Sequence, residues 1–180
     1  PSGSTINAGM NNIEYVTIQS LGDAVDFGDL VQELASIQTC QSQTRAIVTG
    51  GSEDSSNSRV NGIEYFTMST LGNASDFGDA SAVHNGNQCG GGGNAVRGIF
   101  HIGSTYSNTL EFITMASAGN ATDFGDLTVV RSRLAGLSNS TRGVFLKGHV
   151  LPAGTVYNTA DFVNIASTGN ALDFGDGFTG

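Results

Sequence analysis

Tryptophan is absent from this 180-residue chain, proline and cysteine each occur twice, and lysine occurs once, as Lys147. Each shortage excludes something. Cys40 and Cys89 are too few and too far apart for a disulfide framework, and their spacing does not suggest a zinc site. Seven basic residues against sixteen acidic ones leave a net charge of −9, so the chain lacks the basic surface that nucleic acid or an anionic membrane requires. No apolar run approaches a membrane span, and the first residues show no charged-then-apolar signal pattern. Long helices draw on Lys, Glu, Leu and Ala. One lysine beside 26 glycines and many Asn, Ser and Thr reads better as strands joined by Gly/Asn turns, within one well-packed domain.

What the chain has in quantity is repetition. Asp-Phe-Gly-Asp occurs at 26–29, 76–79, 123–126 and 173–176, and four copies of a phrase are scaffold rather than a magnesium-holding kinase motif. The phenylalanines at 27, 77, 124 and 174 are 50, 47 and 50 residues apart. Around them the units read "NNIEYVTIQSLGDAVDFGDL", "NGIEYFTMSTLGNASDFGDA", "NTLEFITMASAGNATDFGDL" and "NTADFVNIASTGNALDFGDG". A second block recurs as "TRAIVTGG", "VRGIFHIG" and "TRGVFLKG", and a vaguer third is best seen as "SRLAGLSN". "IEYVTI" alternates aromatic and β-branched residues as a strand does, "LGDA" or "AGNA" is expected to close a tight hairpin, and "ATDFGDL" returns as the partner strand. Four short strands per roughly 50 residues is the arithmetic of a β-propeller blade. The expectation is an all-β chain of about four four-stranded blades in one repeat domain, with units at 1–43, 44–94, 95–140 and 141–180.

The order "RGVF-x-x-G", strand, turn and Thr-Val-Val-Arg resembles a diverged kelch repeat, with the glycine pair kept as Gly50-Gly51 and Arg131 where the kelch arginine would stand. The kelch tryptophan is missing, and the Phe of each phrase is its expected stand-in. The longer stretch "ITMASAGNATDFGDLTVVRSRLAGLSNSTRGVF" resembles repeats of structural and tail-fibre-like bacteriophage proteins, marine ones in particular. That resemblance implies a virion-surface protein, acting with other virion proteins or a host-surface glycan or protein. Strand segments missing from the first and last units make a homo-oligomer the expectation, and the charge and short apolar runs argue against membrane insertion.

The repeated residues themselves read as structure. Phe27, Phe77, Phe124 and Phe174 are expected between neighbouring blades, each burying a ring for about 2–3 kcal/mol. Asp26, Asp29, Asp76, Asp79, Asp123, Asp126, Asp173 and Asp176 are placed to accept backbone N–H groups at strand ends. A two-residue Gly-Asn hairpin would put Asp76 on the sheet face of Tyr65 and Thr67, beside Arg45. That predicts bridges Arg45–Asp76, Arg97–Asp123 and Arg142–Asp173. The same aspartates with Glu14, Glu64, Glu111 and Asp161 invite a calcium reading, but no stretch has the alternating oxygen spacing of a calcium loop, and no cofactor is expected.

Other candidates weigh less. "CGGGGN" at 89–94 lacks the Gly-Lys-Ser/Thr of a phosphate cradle and reads as a loop. His84, His101 and His149 fall at different places in their repeats, and the sequons at Asn73, Asn120 and Asn139 are explained by turn chemistry. No nucleophile elbow or activated cysteine is present, so the chain reads as non-enzymatic. The loops that differ between units carry its individuality, and Tyr106, His149, Leu151 and Tyr157 are the expected partner-contacting residues. The leading expectation is a phage tail-fibre, appendage or capsid-surface component that presents loops for adhesion or subunit contacts. A glycan-binding lectin-like propeller and a kelch-type protein-interaction scaffold are the alternatives.

Overall fold

A computed structural model describes residues 10–53, 58–84, 91–102, 107–150 and 154–177, and among them there is no helix. The protein is all-β. Strands β1 (Met10–Tyr15), β2 (Val25–Ala35) and β5 (Ser52–Glu53) form one sheet in the order β1-β2-β5. Three four-stranded sheets follow. The first is β3 (Gln38–Gln41), β4 (Arg45–Thr49), β6 (Val60–Thr67) and β7 (Ser75–His84). The second is β8 (Gly91–Gly93), β9 (Arg97–His101), β10 (Thr109–Thr114) and β11 (Thr122–Asp126). The third is β12 (Ala135–Ser138), β13 (Arg142–Leu146), β16 (Thr159–Asn164) and β17 (Leu172–Asp176), with a short hairpin of β14 (His149–Val150) and β15 (Thr155–Val156) beside it. Every pairing is antiparallel and each four-stranded sheet runs in sequence order, so every connection is local. The unit boundaries at 43/44, 94/95 and 140/141 each fall inside a hairpin, because the strand just before each boundary pairs with the one just after it.

Two readings change here. The glycine run is not wholly loop: Gly91–Gly93 is strand β8, squeezed between sheets. A Cβ on Gly91 would lie 2.6 Å from the Thr39 carbonyl oxygen, and one on Gly92 would lie 3.2 Å from Ser138 Cβ. Only glycine fits. The Gly-Asn pairs do not close two-residue hairpins either. Residues 68–74 separate β6 from β7, with a turn at Thr67–Thr70, and the Gly-Asn segment lies against the preceding unit.

The cores sit between sheets. Cys40, Ile47, Phe77 and Ala80 of one sheet meet Phe100, Ile102, Ile113 and Met115 from the next unit. One step along, Ile99, Leu110, Phe124 and Leu127 meet Leu134, Phe145, Val163, Ile165 and Ala171. Strands covered on both faces need apolar side chains on both, which is why "RGIF" and "RGVF" do not alternate. Cys40 is a free thiol in this core, and burial pushes its pKa up to about 12. Cys89 lies outside the described residues.

Each repeated phrase contains a bulge. Ile63 faces Gly78 but Glu64 faces Asp76, so Phe77 is the extra residue, and the same slip recurs at Leu110/Glu111 and Ala160/Asp161. The Phe ring then packs edge-on against an aromatic of its own sheet: Tyr65–Phe77 at 5.7 Å, Phe112–Phe124 at 5.9 Å, Phe162–Phe174 at 5.8 Å. Phe27, Phe77 and Phe124 are buried as expected. Phe174 is not: it is 56% exposed, because no further unit covers it among the described residues.

The phrase glycine is the tightest point. A Cβ on Gly28, Gly78 or Gly125 would stand 2.4–2.6 Å from the carbonyl oxygen of Gly72, Gly119 or Gly169 in the following unit, whereas one on Gly175 meets nothing within 4 Å among the described residues. All four have positive φ, between 128° and 151°, so alanine strains each alike. Gly125→Ala is therefore expected to destabilise the protein by about 1–3 kcal/mol more than Gly175→Ala. Urea denaturation of the two variants checks this, and equal losses would contradict the close approach.

Candidate functional site

Successive units are joined by a constellation that recurs three times. A sheet's outer strand ends in unpaired N–H and C=O groups, which must be covered. The next unit covers them with its Gly-Asn segment. Gly72 N–H donates to the Phe27 carbonyl at 2.8 Å and Ala74 N–H to that of Asp29 at 2.7 Å, while Asn73 Oδ1 accepts from Asp29 N–H at 3.1 Å. Gly119, Asn120 and Ala121 do the same for Phe77 and Asp79, as do Gly169, Asn170 and Ala171 for Phe124 and Asp126.

The acids of the third strand complete the junction. Glu64 accepts from Val31 N–H at 2.8 Å, Glu111 from Ser81 N–H at 3.2 Å and from the Ser81 hydroxyl, and Asp161 from Thr128 N–H at 3.1 Å and its hydroxyl at 2.6 Å. Each carboxylate is buried. Hydrogen bonds to such charged groups stabilise by about 1.5–3 kcal/mol each. Burial pushes the Glu64 carboxyl up, the N–H groups of Val31 and Gln32 pull it back, and neighbouring Asp76 raises it again. The sequence offered these acids as calcium ligands, yet they serve as caps. Their regular spacing one residue after the strand's Ile, Leu or Ala was the available signal.

The predicted arginine–aspartate bridges are not formed. The bulge shifts the register by one residue, so Asp76, Asp123 and Asp173 stand opposite Glu64, Glu111 and Asp161, on the face away from the arginines. Arg45, Arg97 and Arg142 instead lie over the rings of Tyr65, Phe112 and Phe162 at 4.7, 4.6 and 4.8 Å. Such stacking contributes about 0.5–2 kcal/mol. Arg45 also donates to the Met115 carbonyl at 2.7 Å and Arg97 to that of Ile165 at 3.0 Å, both in the next unit.

One buried ion pair breaks the pattern. Arg131 Nη2 lies 3.0 Å from Asp161 Oδ2 and donates to the Phe145 carbonyl at 3.2 Å, while its Nε and Nη1 have no partner among the described residues. Nearby are two buried histidines. His84 stacks on Phe100 at 6.3 Å and reaches Thr49 Oγ1 at 3.3 Å; His101 Nε2 is 3.0 Å from the Ser107 carbonyl. Burial lowers both pKa values. It takes His101 to about 4, with Arg131 and His84 pushing the same way and the Ser107 carbonyl opposing.

An open space of about 500 Å³ is lined by residues 37–41, Gly91–Gly93 and residues 136–138, which belong to the first strands of the three four-stranded sheets and the segment leading into them. Ser138 Oγ ties two of these strands, accepting from Gly93 N–H at 2.9 Å and donating to its carbonyl at 2.8 Å. A second space of about 400 Å³ adjoins it at the hairpin turns, lined by neutral Gln, Ser and Asn side chains. Those turns are closed by Ser42, Asn94 and Asn139, whose side-chain oxygens accept backbone N–H groups two and three residues on. No group of three or more His, Cys, Asp or Glu side chains able to hold a metal ion occurs among the described residues.

Of the expected contact residues, Tyr106 and Leu151 lie outside the described residues. His149 and Tyr157 are half-buried on and beside the β14–β15 hairpin; His149 exchanges backbone hydrogen bonds with Ser132, and Tyr157 N–H donates to the Gly148 carbonyl. No family model matches the chain, and no curated protein matches it.

Two outcomes test the buried polar groups. Removing Arg131 leaves Asp161 buried without its cation, so Arg131→Ala is expected to cost about 3–5 kcal/mol, whereas exposed Arg142→Ala should cost about 1 kcal/mol or less by the same denaturation assay. His101 is held neutral, so on acidification the unfolded chain protonates first. Its contribution is complete above pH 6.5 and is lost as pH falls to about 4, by about 3 kcal/mol. Thermal melts across that window should show wild type losing that much more than His101→Gln; parallel losses would contradict the buried neutral ring.

Proposed function

We propose that the chain is a non-enzymatic structural module of a virus particle, a phage tail-fibre, appendage or capsid-surface component, built from kelch-like propeller blades that hold out variable loops. The observation that carries the non-enzymatic part is where the reactive side chains go. Glu64, Glu111 and Asp161 cap a neighbouring strand, the three repeated arginines stack on rings, and His84 and His101 are buried in the core. An enzyme needs tuned groups converging where a substrate can reach them. Here the same chemical types are repeated and consumed as scaffold.

The propeller reading is supported by three four-stranded sheets in sequence order whose first strands line one open space. The particle reading rests on the resemblance of "ITMASAGNATDFGDLTVVRSRLAGLSNSTRGVF" to phage repeats, and the few charges and one lysine suit an exposed, durable surface. Its partners would be other virion proteins or a host-surface glycan or protein. A second reading, glycan binding, is favoured by the neutral hydroxyl and amide lining of the space at the hairpin turns, a donor and acceptor set suited to sugar hydroxyls.

Antibody labelling of purified particles by electron microscopy is expected to decorate the tail or capsid surface in regular copies, and an unlabelled particle population would contradict the assignment. Saturable binding on a glycan array, lost on Asn139→Asp, would favour the lectin reading.

A further inference from the structure

The junction that recurs three times inside the chain has its two halves exposed once more, at opposite ends of the array. The outer strand β17 is the trailing half. The Phe174 and Asp176 carbonyls, whose counterparts in every earlier unit accept a neighbour's N–H, have no such donor among the described residues. Phe174 is exposed where Phe77 and Phe124 are 2% exposed, and nothing among the described residues stands over Gly175. Arg142 stacks on Phe162 as its counterparts stack on their rings, but among the described residues it finds no carbonyl where Arg45 and Arg97 reach Met115 and Ile165.

The first unit is the leading half. Ile18 stands where Met68, Met115 and Ile165 stand, and it is 93% exposed against their 37%, 2% and 0%. Val16 matches buried Ile113 and Val163, and Ala24 matches buried Ala171; both are exposed. The N–H groups of Gly22 and Ala24 correspond to the donors of Gly72 and Ala74, and Asp23 supplies an oxygen where Asn73 does. Glu14 corresponds to the capping acids, and its matching donor would be residue 178, outside the described residues.

We propose that these two ends dock on each other between molecules: the leading face of one copy covers β17 of a second copy of the same chain. The contact repeats the internal junction. Gly22 and Ala24 pair with Phe174 and Asp176, Ile18 and Val16 cover the Phe174 ring, and Arg142 donates to the Ile18 carbonyl. This is strand-edge augmentation with the pocket and donors already built, and it joins two different surfaces, so it propagates as a ring or a filament. It stands apart from the particle reading, because it uses only the interface found within the chain.

Sedimentation velocity of the intact chain tests it with two surface variants, Ile18→Asp and Phe174→Asp, each changing a side chain already exposed in the single copy. Wild type is expected to self-associate reversibly with rising concentration, and each variant alone to dissociate at least about tenfold more readily. The decisive arm is the mixture. Ile18→Asp keeps an intact trailing face and Phe174→Asp an intact leading one, so together they should form a 1:1 complex that neither forms alone. Wild type that stays monomeric at the highest concentration, variants that associate like wild type, or a mixture that stays monomeric would each overturn the proposal. The first of these outcomes would fit the chain's own first unit covering β17.

Discussion

An outer strand has hydrogen-bonding groups on its free edge that water or another backbone must satisfy, and in this protein the next unit satisfies them. The rest of the structure follows from that constraint. For a backbone to approach the strand edge closely, the residue at the closest point must lack a Cβ, hence Gly28, Gly78 and Gly125. For the Phe beside it to turn inward, the strand must bulge, and the bulge in turn fixes which face every neighbouring side chain takes. A carboxylate can then enter from the adjoining unit and accept the N–H just past the phrase. Glycine, ring and acid are one device.

The device explains how an acidic chain with few cations holds together. A carboxylate in a low-dielectric junction needs donors, and here backbone N–H and hydroxyl groups provide them in place of lysines. The arginines are left to span units by another route, lying flat on aromatic rings with one nitrogen on the next unit's carbonyl. The third-to-fourth junction departs from the others: Asp161 carries a buried guanidinium as well, and so is the site most exposed to single-residue damage. A scaffold that absorbs its acids, arginines and histidines in this way leaves the connecting loops as the part free to differ between units.

Much of this was legible in the sequence. Period-two order in "IEYFT", turn residues between short segments and the fourfold phrase gave strands, antiparallel pairing and buried phenylalanines. The register was not legible: the glycine after each phenylalanine allows a bulge or a close backbone approach, but the expected pairing left the bulge out, and one added residue reverses every face. That is why Asp76 was expected beside Arg45 and stands instead opposite Glu64. The Gly-Asn pair misled for a related reason: its chemistry suits a hairpin, but its partner is another unit's edge, which no local pattern reveals. Gly91–Gly93 looks like a loop until the neighbours that leave no room for a side chain are seen. Phe174 matches its counterparts in sequence and differs only because its covering unit is missing among the described residues.

Amide hydrogen exchange across the Gly-Asn segments tests the central claim most directly. If those segments are the covers of a neighbouring strand edge, the amides of Gly119 and Ala121 should exchange only on cooperative opening, as slowly as those of β6 and β10, while those of Gly22 and Ala24 in the isolated chain exchange as an open loop. Fast exchange at Gly119 and Ala121, matching Gly22 and Ala24, would mean that the units are not joined there and that the junction described above does not hold the array together.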